Sequence, residues 1–147
     1  MKVIFLDFDG VIVTDRSIST LKHSGSTPFD RVAVVNLNTL IASTGAQVVI
    51  SSSWRTDRSL NMKQVLDQAG VRCTIIGQTP VLGRRGYEIG CWLDAHPEGI
   101  EKFAILDDAI DDILCGRFAE QLVPTRMQTG FDHLALLRAL NILGRNS

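Results

Sequence analysis

Short apolar runs that do not alternate in polarity recur along this chain, and they restrict its fold more than any other feature. "KVIFLD" (2–7), "AQVVIS" (46–51), "VRCTII" (71–76), "KFAILD" (102–107) and, more weakly, "EQLVPT" (120–125) read as strands rich in Val and Ile. Between them lie helical patterns: Arg31–Thr44 stopped by Gly45, Asp57–Ala69 stopped by Gly70, Gly86–His96 stopped by Pro97, a short piece from Ala109 to Phe118, and Phe131–Leu143 stopped by Gly144. Strands buried on both faces and separated by helices specify an α/β fold, a three-layer doubly wound arrangement around a mainly parallel five-stranded sheet. At 147 residues, residues 1–147 are expected to form a single domain.

In such a sheet, ligands bind beyond the carboxyl ends of the strands. Those ends carry the chain's polar chemistry: "LDFDG" after the first run, "ISSSWR" after the second and "ILDDAIDD" after the fourth. The third ends in "IIGQT" without a charge, as an outer strand would. Asp7 and Asp9 are two apart, which in extended chain puts both side chains on one face, about 6.5 to 7 Å apart. Phe8 turns the other way into apolar packing, and Gly10 lets the chain bend sharply or approach a ligand closely.

If Asp107 joins them, with Asp108 or Asp111, several carboxylates share a small volume. Each like-charge pair at about 4 Å costs roughly 4 kcal/mol at a surface-like dielectric. A counter-charge is needed, and an all-oxygen donor set selects a hard divalent cation, Mg²⁺ before others. The alternative is that these aspartates cap helices, which applies most readily to Asp108, Asp111 and Asp112.

The order and spacing of "DFDGV", "VVISSSW" and "FAILDD" resemble the haloacid dehalogenase (HAD) superfamily over nearly the whole chain. The resemblance implies a Mg²⁺-dependent phosphomonoester hydrolase in which Asp7 accepts the phosphoryl group as an aspartyl-phosphate and Asp9 is the general acid and base. It implies metal ligation by Asp7, Asp107 and the backbone carbonyl of Asp9, with Asp108 a further candidate. Ser51 resembles the residue that hydrogen-bonds the transferring group, with Ser52 or Ser53 as alternatives in a shifted register or as turn formers. The family's bridging Lys or Arg is matched by Arg85 before Arg84, both in "LGRRGYEI". Lys102 lies about 16 Å from Asp107 at the wrong end of its strand.

Trp54 and Arg55 follow the serines. They are candidates to stack a ring and clamp a second phosphate, the alternative being a core Trp beside a surface Arg. Residues 12–30, polar and rich in Ser and Thr, are long for a structureless loop and are expected to be a flap-like insertion. Neither that interval nor the one after the third strand has room for a cap domain, so the resemblance is to capless members.

A site without a lid admits a large phosphorylated group, and the "SSSWR" and "GRRG" loops favour a polynucleotide 3'-phosphate. A net charge of −1 gives that reading no global support. The alternatives are a nucleotide or small-metabolite phosphatase and a non-catalytic HAD-like binding module. A receiver-type signalling domain is disfavoured because its acceptor aspartate ends the third strand. No apolar run reaches membrane-spanning length, and the expected location is cytoplasmic. Cys73, Cys91 and Cys115 are odd in number and widely spaced, which suggests reduced core thiols. His23, His96 and His133 show no ligand spacing.

Overall fold

Successive residues of the first strand point to opposite sides, and each side meets its own set of helices. In the computed structural model, which describes residues 1–24, 27–114 and 117–146, β1 (Lys2–Leu6) sits at the centre of a five-stranded parallel sheet. Its neighbours are β2 (Gln47–Ile50) and β4 (Lys102–Asp107), flanked by β3 (Ile75–Gln78) and β5 (Leu122–Pro124) in the order β3-β2-β1-β4-β5. The sheet, its strand direction and the three layers match the expected fold.

Ile4 and Leu6 pack with α2 (Arg31–Thr44), α3 (Met62–Ala69) and α6 (His133–Leu143) on one face. Val3 and Phe5 pack on the other against α4 (Arg85–Ala95) and α5 (Ile110–Leu114), through Ile89, Trp92 and Ile113. Fully burying such side chains contributes about 1.5–3 kcal/mol each, so the two faces fix the sheet between its helix layers.

Helix limits follow local chemistry. Asp30 caps α2 by accepting from the N–H groups of Val32 and Ala33, and Gly45 ends it at φ 70°. The third helix begins at Met62 rather than Asp57: Asp57 folds its carboxylate onto Ser59, and Asn61 supplies the cap to Gln64. A 3-10 turn occupies Ser53–Thr56. The third strand is displaced toward Gln78 because Arg72 donates its N–H to the Asn38 side chain and Val71 closes onto Leu66, so that pairing with β2 opens only where the Thr74 carbonyl accepts from Val48 N–H.

Residues 12–30 are not structureless. They contain α1 (Asp15–Ser24), started by a reciprocal cap in which Thr14 N–H donates to Ser17 Oγ and Ser17 N–H to Thr14 Oγ1. A Ser/Thr-rich composition masked that start signal. Asp30 then closes the segment, accepting from Thr14 Oγ1 and pairing with Arg16, both at 2.7 Å. Cys115 and the side chain of His23 lie outside the described residues. Cys73 and Cys91 carry no disulfide, and burial pushes the Cys73 thiol up to about 11. Among the described residues no helix is long and apolar enough to cross a membrane.

Candidate active site

Parallel register builds the site. Leu6 pairs with both Ile50 and Leu106, and Ile50 pairs with Gln78. One residue further, Thr79, Ser51, Asp7 and Asp107 therefore stand in a row across β3, β2, β1 and β4. The ladder continues into that row: Thr79 donates to Ile50, Ser51 to Leu6 and Asp7 to Leu106 through their backbone N–H groups. Each of these side chains is buried, with Asp107 and Ser51 fully inaccessible. Ser51 Oγ and Thr79 Oγ1 have no hydrogen-bond partner, an uncommon state for a buried hydroxyl.

Beyond Asp7 the chain turns tightly. The N–H groups of Val11, Ile12 and Val13 converge on the Phe8 carbonyl, and Gly10 N–H returns to Val13. Gly10 adopts φ +79°, and a Cβ there would lie 2.5 Å from Asp108 Oδ2. The glycine is thus required twice, for its left-handed backbone and for the close approach of Asp108.

Asp7, Asp107 and Asp108 each offer an oxygen within 4.8 Å of the others. Arg85 reaches into this group from the first turn of α4, with Nη1 2.5 Å from Asp107 Oδ2 and 3.4 Å from Asp7 Oδ1. Burial, then Asp107, pushes the Asp7 carboxyl up to about 8, with Arg85 opposing. Burial likewise raises Asp107 against the pull of Arg85. One guanidinium therefore leaves the three carboxylates under-compensated. That deficit and the all-oxygen donor set fit a hard divalent cation such as Mg²⁺.

The carboxylate of Asp9 stands apart from this group. Its Oδ2 accepts a hydrogen bond from Trp54 Nε1 at 3.3 Å. Trp54 is only half-buried, with its ring edge-on to Phe8 and tilted against Phe29. It is therefore a packed residue with one polar contact at the site, not an open stacking platform.

Arg55 departs from both readings of the sequence. It is neither a free clamp nor a surface charge, because its five N–H donors are all engaged. Nε donates to Thr79 O, Nη1 to Ser51 O and Ser52 O, and Nη2 to Pro80 O, with Nη2 also 3.1 Å from Glu88 Oε1. Ser52 is likewise occupied, its Oγ capping the 3-10 turn at Trp54 N–H. Arg84 is exposed at the start of α4, where it lines a cleft of about 470 Å³ with Tyr87, Cys91 and Phe118. Asp111 is exposed on α5 outside the carboxylate group. Asp112 accepts the backbone N–H of Arg85 and so seats α4.

Glu88 escaped the sequence reading. It is a buried carboxylate that accepts from the N–H groups of Leu82 and Gly83 and lies between Arg55 and Arg85. Its place three residues after Arg85 on one helix face was the available signal.

A family model described as the HAD domain in Swiss Army Knife RNA repair proteins matches residues 3–135. No curated protein and no solved structure matches the chain.

Proposed function

This chain belongs to the family of HAD domains in Swiss Army Knife RNA repair proteins, and from that premise we propose that it is a Mg²⁺-dependent phosphomonoesterase acting on phosphorylated RNA ends. Membership supports a HAD-type phosphoesterase. The observation that carries the finer reading is the Asp7–Asp107–Asp108 group with Arg85 inserted into it.

Asp7 is the acceptor of the phosphoryl group: an Asp7 carboxylate oxygen forms the new P–O bond as the ester oxygen leaves. Asp9 gives a proton to that leaving oxygen and then takes one from the water that cleaves the aspartyl-phosphate. Its distance from the carboxylate group suits this duty, since a side chain engaged in metal ligation cannot exchange protons freely. The unpartnered Ser51 hydroxyl donates to a phosphoryl oxygen, and Arg85 contributes positive charge beside Asp7. Asp7, Asp107 and Asp108 would hold Mg²⁺, together with the Asp9 carbonyl. Bound there, Mg²⁺ would supply the charge that lets a carboxylate approach a phosphate dianion.

A single domain over 1–147 with a helical flap at 12–30 and no cap leaves the site open to a chain end. The family's description supports RNA as that chain. A nucleotide or small metabolite is the alternative substrate, favoured by nothing specific in the site. Turnover of p-nitrophenyl phosphate, free nucleotides, and 3'- and 5'-phosphorylated oligoribonucleotides, each with and without Mg²⁺, tests the reading. RNA 3'-phosphates are expected to be the best substrates. A preference for mononucleotides by orders of magnitude removes the RNA assignment, and inertness toward every phosphomonoester removes the enzyme.

A further inference from the structure

Arg55 and Glu88 are a buried ion pair outside the reacting groups, and their bonds explain how the loop beside Asp7 is shaped. In a trans peptide the C=O of one residue and the N–H of the next point in opposite directions. Arg55 Nη1 draws in the carbonyls of Ser51 and Ser52, at 3.0 and 2.8 Å. The N–H groups of Ser52 and Ser53 must then point away from the guanidinium. Among the described residues neither N–H has a partner. Two successive, unpartnered N–H groups turned away from the guanidinium are thus left as donors for an anion, next in sequence to Ser51, which flanks Asp7.

The same guanidinium holds the carbonyls of Thr79 and Pro80, so it joins the loop after β2 to the loop after β3. Glu88 neutralises it from α4. Its Oε1 also lies 3.8 Å from Arg85 Nε, while Oε2 gathers Leu82 and Gly83. One carboxylate thus links the donor loop to the arginine that reaches Asp7 and Asp107.

We propose that the Arg55–Glu88 pair is a positioning clasp: Arg55 presents the Ser52 and Ser53 N–H groups to the phosphoryl oxygens, and Glu88 keeps that loop in register with Arg85. The clasp rests on the phosphoryl-transfer reading above. It makes Arg55 and Glu88 positioning residues, and it accounts for a buried charge pair where an apolar contact would serve packing equally well.

The test separates positioning from stability. An Arg55→Met, Glu88→Leu double variant removes both charges together, which avoids stranding either one alone. Four carbonyls lose the guanidinium and the Leu82 and Gly83 N–H groups lose their acceptor, so its melting temperature should fall. At a temperature where circular dichroism shows the variant folded, its kcat for p-nitrophenyl phosphate should be about 10²-fold below wild type, the scale of a lost oxyanion donor. In the wild type with Mg²⁺, the Ser52 and Ser53 amide resonances should shift on titration with inorganic phosphate, and in the double variant they should not. Should the double variant fail to fold, Glu88→Gln keeps an acceptor for Leu82 and Gly83 and removes the charge. Its loss of kcat should then be less than additive with that of Arg85→Lys.

Unchanged kcat and KM in the folded double variant, or additive losses in the cycle, overturn the clasp. So do silent Ser52 and Ser53 amides in a wild type that is active and whose other site amides respond. A wild type that turns over no phosphomonoester and shows no amide response to phosphate overturns the phosphoesterase reading itself, and the clasp with it.

Discussion

Replacing Asp7 by Asn should abolish turnover and, in the absence of metal, make the folded protein more stable. The sign follows from proton linkage. The Asp7 carboxyl is raised from 3.8 to about 8, first by burial and then by Asp107. Between those values the unfolded chain has released its proton and the folded chain has kept it. Stability from this group is therefore complete below 3.8, falls as pH rises, and is fully lost above about 8.

At about 1.4 kcal/mol per pH interval, that loss is roughly 2 kcal/mol at pH 5 and roughly 4 kcal/mol at pH 7. Direct charge terms largely offset one another. Asp107 and Asp108, within 4.8 Å, each repel an ionised Asp7 by roughly 3 kcal/mol, while Arg85 at 3.4 Å attracts it by roughly 5 kcal/mol, at an effective dielectric of about 20. Burial supplies the remainder, in agreement with its place as the leading cause. Asn is neutral in both states and keeps the acceptor for Phe8 N–H, which Asp7 Oδ1 receives at 2.9 Å. Urea unfolding of both proteins in EDTA from pH 5 to 8.5 should show a gap in favour of the Asp7→Asn variant that widens with pH. Added Mg²⁺ should stabilise the wild type more than the variant. A variant less stable than wild type at pH 7 without metal, or a gap that does not change with pH, would refute the linkage argument. Wild-type turnover by the variant would show that the nucleophile is misassigned.

Asp9→Asn should leave the carboxylate group intact and block turnover, with the phosphoenzyme accumulating when an activated ester supplies a good leaving group; acid-quenched labelling from a phosphorylated substrate reads this out. Asp107→Asn should raise the Mg²⁺ concentration for half-maximal activity at least tenfold, measured by metal titration of the rate. Gly10→Ala should destabilise by about 1–3 kcal/mol, the cost of a strained left-handed residue. It should also displace Asp108, seen as weaker Mg²⁺ binding in calorimetry, and wild-type metal affinity in that variant would contradict the role given to the close contact at Gly10.

Much of the fold was legible because its signals are local. The apolar runs fixed five parallel strands, and Gly45, Gly70 and Gly144 stopped their helices at the expected places. Asp7 and Asp107 were legible as site candidates because both end strands, and parallel register brings strand ends together. The start of α1 was carried by a two-residue Thr–Ser cap inside a polar stretch, too small a signal to stand out against a loop.

What no local pattern encodes is which distant groups become neighbours. Asp9 and Trp54 meet only because the turn after β1 and the turn after β2 open on the same edge. Arg55 and Glu88 meet only because the turn after β2 and the first turns of α4 come together in the folded chain. An exposed arginine and a buried one read alike in sequence. The difference is made by four carbonyls and a carboxylate that must find donors once water is excluded, and only the assembled structure excludes it.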